Sequence, residues 1–248
     1  MLRGLWQLTW LEIKIFVREP LGVVGTLAVP VVLCLVFGRI GRGRGARAAD
    51  LPAFIGTDLA VMATTFVALG SVMSLVAIIA IYREGGILKR LRATPLRPAT
   101  ILTAHVLVKL TFSLLTLVVL ALAGRRLVPA DMDPPLLSFG LAVLFSTACV
   151  LSIGFVLASI VPTARFAQPA AAAVLYPMLA VSGVFVPIDL LPSGLQAVAR
   201  VLPLTYAVSL QRGIWRGEGW AAHGGDVLAL LLIAVVAVAV ANRVFRWE

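Results

Sequence analysis

The chain has 248 residues, 61% of them hydrophobic and 13% charged, with a mean hydropathy of +1.05; a soluble domain is nearer half apolar and a quarter charged. That composition excludes a water-soluble globule and fits one polytopic membrane domain, because six spans of about 20 residues, each crossing a hydrocarbon core of about 30 Å, occupy about half of the chain. The balance of 21 Lys+Arg against 11 Asp+Glu leaves +10, yet basic residues at the ends of membrane helices meet lipid headgroups and set orientation, so no nucleic acid is implied.

Residues 1–19 read as an interfacial helix. At helical period Arg3, Gln7, Lys14 and Arg18 form one stripe, and Trp6, Trp10, Ile13 and Phe16 lie away from it. Lys14 and Arg18 precede the apolar run Leu21–Phe37, and Ala46-Arg47-Ala48 resembles a cleavage site. Both the basic leader and the run are long for a signal peptide, so the run is expected to be a retained first span.

Pro20 ends the helix, and the expected spans are Leu21–Phe37, Ala53–Ile81, Ile101–Leu122, Leu136–Val161, Ala170–Val186 and Val227–Ala241. An even number puts both termini on one side, shared with the basic segment Arg83–Arg97 and with Arg243 and Arg246; that side is expected to be cytoplasmic. Arg39, Arg42, Arg44 and Arg47 in the first outer loop run against this tendency. Cys34 and Cys149 sit inside apolar runs and read as small core residues.

Between the fifth and sixth spans, residues 187–216 are too apolar to float in water and too broken by Pro192 and Pro203 to cross. A helical hairpin dipping into the outer leaflet is expected, with Trp215 and Trp220 at its aqueous boundary.

Little here supports catalysis. Two histidines, His105 and His223, stand without a His-Glu-x-x-His helix, a Gly-x-Ser-x-Gly turn or paired-cysteine metal spacing. A phosphate-cradling Gly-x-x-x-x-Gly-Lys-Ser/Thr loop is missing too, so energy for work must come from elsewhere. Charges within spans are functional candidates by default. Asp58 lies near the outer start of the second span, and His105 and Lys109 share one face of the third. Two readings stand for them: structural pairing with snorkelling, or lining of a substrate path.

The most informative segment, residues 82–100, contains Glu84-Gly85-Gly86-Ile87-Leu88-Lys89-Arg90-Leu91-Arg92-Ala93-Thr94-Pro95-Leu96. Ile87, Leu88 and Leu91 recur at helical spacing among Lys89, Arg90 and Arg92, and Pro95 and Pro98 are expected to stop the helix. A short amphipathic helix of this kind suits a cleft on a cytosolic partner, and equally a turn held at the headgroups.

These residues resemble the ABC-2 type transporter permeases, the membrane subunits of a class of ATP-driven exporters. Arg83 through Leu96 is similar to that family's segment between second and third spans. Ser182-Gly183-Val184-Phe185-Val186-Pro187 with Leu190-Leu191-Pro192, then Leu202-Pro203-Leu204-Thr205-Tyr206-Ala207, resemble the end of its fifth span and its outer hairpin. The resemblance implies an all-α, six-span fold with no ATPase motif of its own. It implies two separate nucleotide-binding subunits, which carry the ATP and Mg, and a second permease copy or paralogue. By this analogy Arg83, Glu84, Ile87, Leu88, Lys89, Arg90, Leu91, Arg92, Thr94 and Pro95 form the ATPase-contacting segment. Pro187, Leu191, Pro192, Pro203 and Tyr206 shape the outer hairpin. The implied setting is a bacterial-type inner membrane, and the implied cargo is amphiphilic or hydrophobic, closer to the drug and antibiotic exporters. An intramembrane enzyme acting on a lipid, centred on His105, Lys109 and Asp58, is the alternative; a passive channel or scaffold is a third.

Overall fold

Uncharged runs of Ala, Val, Leu and Ile become helices in hydrocarbon because each backbone amide must find its partner within its own segment. The computed structural model describes residues 59–87, 98–124 and 135–244, together with residues 6, 9–11, 13–14, 31–32 and 36. Among the described residues the fold is helical without strands: α1 Leu59–Glu84, α2 Pro98–Gly124, α3 Leu136–Ile160, α4 Ala164–Val181, a 3-10 turn Ile188–Leu190, α5 Ser193–Ala199, α6 Pro203–Trp215 and α7 Gly224–Val244.

Among the described residues four helices are long and apolar enough to cross a membrane: α1, the Thr103–Leu120 portion of α2, α3 and α7. Six were expected. The first, Leu21–Phe37, lies almost wholly outside the described residues. The fifth is α4, whose 18 residues contain Pro169 and Pro177 and carry Arg165 and Gln168 within the first five positions; it is not one of the four. Prolines otherwise mark beginnings. Pro98 and Pro203 are first residues of α2 and α6, where the missing N–H is no loss; the stretch that Pro98 is expected to terminate, residues 88–97, lies outside the described residues.

α3 is the hub, touching α1, α2, α4, α6 and α7. Val72, Leu75 and Ile79 of α1, Leu151 of α3, Leu175 of α4, Leu210 of α6 and Leu230 of α7 belong to one buried cluster. A close seam lies at Gly154, where a β-carbon would lie 3.1 Å from Leu75 and 3.2 Å from Val72; the missing side chain lets α1 and α3 approach closely.

Contacts fix the direction of each helix. Tyr82 packs on His105 with ring centroids 5.4 Å apart, and Lys109 Nζ donates to Ser74 Oγ at 2.6 Å, so α1 and α2 run antiparallel. Phe139 meets Trp215 at 4.8 Å and Phe145 meets Trp220 at 6.4 Å, which joins the start of α3 to the end of α6. Thr64 near the start of α1 donates to Gln211 at 2.7 Å. The end of α1 and the hairpin therefore occupy opposite ends of the bundle, and the 26 residues of α1 extend about 39 Å between them.

Of the expected interfacial helix, Trp6, Trp10 and Leu11 are exposed and Thr9 is buried. Lys14 sits 5.6 Å over the Trp10 ring. Ile13 packs on Val108 and Phe112 of α2, so the apolar face splits between a helix neighbour and the surroundings.

Candidate functional site

Helix α1 runs beyond the expected loop boundary at Tyr82 and stops where the sequence supplies two glycines. Gly85 N–H still reaches Ile81 O at 2.9 Å and Gly86 N–H reaches Arg83 O at 3.0 Å, after which Gly86 takes φ +66°, a conformation that costs a residue with a β-carbon about 1 kcal/mol. Arg83 and Glu84 therefore sit on a rigid last turn.

That turn grips the corner between α3 and α4. Arg83 Nη1 donates to Ala158 O at 3.1 Å, and Nη2 donates to Val161 O. Both acceptors are carbonyls at the C-terminal end of α3, where a cation also complements the helix dipole. Glu84 Oε2 accepts from Ala164 N at 2.8 Å, the first amide of α4, whose own N-cap Thr163 makes no side-chain cap. A carboxylate there replaces the missing cap and meets the positive end of the dipole. Two adjacent residues of opposite sign thus hold two helix ends of opposite polarity. Ile87 follows directly and is exposed.

At the other end, α6 is tied on three sides. Arg212 Nη2 donates to Gly183 O at 2.9 Å, Gln211 accepts from Thr64, and Tyr206 Oη donates to Arg200 O. Gln196 Nε2 donates to Leu191 O at 2.8 Å, closing the turn before α5. Leu190, Leu195, Val198 and Val201 are exposed apolar groups.

The sequence profile of the ABC-2 type transporter family matches residues 3–215, which contain both the α1–α4 corner and the hairpin. The chain belongs to the ABC-2 type transporter family. Compared with curated protein sequences it finds no significant match. It is a multi-pass membrane protein and a permease subunit that works with an ATP-binding subunit of an ABC transporter, and the family's membrane domain is not itself catalytic.

Within the permease, the expected ATPase-contacting residues fall into two groups. Arg83 and Glu84 are placed at the corner just described and Ile87 is exposed just beyond it in the chain; Leu88, Lys89, Arg90, Leu91, Arg92, Thr94 and Pro95 lie outside the described residues, between the end of α1 and the start of α2. Of the expected path residues, two are among the described residues. His105 and Lys109 are 3% and 6% exposed and face α1, whereas Asp58 lies outside the described residues. Of the hairpin residues, Pro187 precedes the 3-10 turn, Leu191 and Pro192 lead into α5, Pro203 opens α6, and Tyr206 bonds the loop before it.

Sequence reasoning missed Gln211, 1% exposed, which signals itself only as an amide inside an otherwise apolar helical stripe. It also missed the group of Ser209, Glu218, His223 and Asp226, joined by hydrogen bonds of 2.8–2.9 Å. Within residues 218–226 a histidine flanked by two acidic residues is visible, but nothing in the spacing announces that both reach the ring.

Proposed function

We propose that this permease is the membrane half of an ATP-driven exporter for amphiphilic cargo, in which the Arg83–Glu84 clamp carries movement of the ATPase into α3 and α4. The clamp is the observation that supports this most. A push on residues 88–95 travels through a helix end that is hydrogen-bonded to the end of one helix and the start of the next, so the corner moves as one body. ATP and Mg reside in the partner subunits, docked on the side that carries residues 85–97, and both termini face the cytoplasm.

Helix α4 supports the cargo class and the pairing of two copies. Ala167, Ala171, Leu175 and Met178 face the core, while Arg165, Phe166, Gln168 and Tyr176 remain exposed. A face that mixes aromatic, amide and cationic groups suits an amphiphile in a path shared with a second permease, identical or paralogous. His105 and Lys109, buried on α1, serve as framework in this reading.

Replacing Leu88 and Leu91 with Glu is expected to abolish co-purification of the ATPase while leaving membrane insertion intact. Undiminished co-purification overturns the docking proposal. ATP-dependent accumulation of fluorescent amphiphiles in inside-out vesicles tests direction and cargo, and accumulation without ATP counts against the exporter.

A further inference from the structure

The turn from α6 to α7 holds a group that transport has not called upon. His223 Nδ1 lies 2.8 Å from Asp226 Oδ2 and its Nε2 lies 2.9 Å from Glu218 Oε2. A neutral imidazole has one N–H and can satisfy only one such oxygen; both bonds form together when the ring is an imidazolium donating from each nitrogen. The ring is also seated: a β-carbon on Gly213 of α6 would come 1.7 Å from Nε2, so only glycine leaves room for it.

We propose that His223 is a proton-operated latch fastening the α6–α7 turn. Asp226 is its fixed side. It is in the first turn of α7, where the helix dipole favours an anion, it is only 18% exposed, and the same oxygen accepts from Ser209 Oγ at 2.8 Å. Glu218 is the movable side, 48% exposed and flanked by Gly217 and Gly219, both at positive φ. Loss of the proton to solvent therefore keeps Nδ1–H on Asp226, turns the Nε2 lone pair toward the Glu218 carboxylate, and releases that still ionised carboxylate into water.

The groups acting on the ring are Asp226 from α7 and Glu218 from the turn. α6 presents Ser209 and Gly213 to the cluster and carries Arg212, which is directed to Gly183 O, and Arg216. α3 contributes the uncharged rings of Phe139 and Phe145 against Trp215 and Trp220. Burial pushes the imidazole down, but the hydrogen bonds and charges of Asp226 and Glu218 outweigh it and hold His223 above its ordinary 6.5. The latch is thus fully closed below that value and is lost as pH rises through the raised one. Because α6 also holds α4 and α1, the latch regulates the hairpin end; its placement at the exit of an exporter rests on the topology proposed above, whereas the protonation itself does not.

The test uses the full chain in lipid nanodiscs without ATPase, so its outcome is independent of transport. The chain has 2 histidines, and 13C-histidine NMR, assigned with H223Q, is expected to show His223 titrating above 6.5 and shifting down in E218Q and D226N. Amide exchange across residues 217–226, corrected for its intrinsic rate, is expected to be about ten-fold faster at about pH 8 than at about pH 5. G213A, which unseats the ring, is expected to exchange fast at both. Should H223Q fail to insert, E218Q carries the comparison, with fast exchange at low pH. A His223 titration at or below the ordinary value, or equal protection on both sides of it, overturns the latch.

Discussion

Truncating the clamp gives a result that separates a coupling corner from an ordinary helix contact. Arg83 is half-buried and donates to two carbonyls; hydrogen bonds to charged groups contribute about 1.5–3 kcal/mol each when buried, so R83A costs about 2–3 kcal/mol after allowance for its partial exposure. Glu84 is exposed and makes one bond to Ala164 N, so E84A costs about 1 kcal/mol, the usual worth of a lost cap. In a chain of this size about 2 kcal/mol lowers the melting temperature by roughly 4–8 °C, readable in nanodiscs by intrinsic fluorescence. The two residues hold neighbouring helix ends, so a double-mutant cycle is expected to give a coupling energy of about 0.5 kcal/mol or more. With the ATPase present, both variants are expected to retain subunit binding while ATP-driven transport falls by about ten-fold or more, since 1.4 kcal/mol is a factor of ten. Additive stability losses together with unaltered transport refute the argument.

Three further outcomes follow from packing. G154L drives a side chain into Leu75 and Val72 of α1 and is expected to lower stability by about 1–3 kcal/mol, measured as a loss of folded permease on size-exclusion after heating. Thr147 Oγ1 on α3 is buried with no hydrogen-bond partner among the described residues, so T147V, which keeps the shape and removes the hydroxyl, is expected to leave the melting temperature unchanged or raise it. Lys109 is buried beside Ser74; K109M is expected to lower stability without changing the relative transport of different amphiphiles, and an altered cargo profile shows instead that Lys109 lines the path.

Hydropathy alone located the four long spans, because an uncharged run of twenty residues has one stable form in lipid, and the start of α3 at Leu136 agrees with expectation to the residue. Local punctuation did nearly as well for the hairpin: Pro192 and Pro203 bracket α5 and open α6 as their missing N–H and fixed φ require. At the end of α1 the same signals misled. Glycine was read as loop from Tyr82 onward, yet the helix keeps its ladder through Glu84 because Arg83 and Glu84 gain partners 75 and 80 residues away.

Hydropathy and the order of its motifs thus determined that the chain is a multi-pass helical membrane protein resembling the ABC-2 permeases, since hydrophobic runs and short motifs are local properties of a string of residues. Tertiary structure decided what each charge is for. It put Arg83 and Glu84 on the ends of α3 and α4, buried Lys109 against Ser74, and closed two carboxylates around His223. A charge is defined by the dipole or ion opposite it, and that neighbour is chosen by how helices pack, which no window of sequence contains.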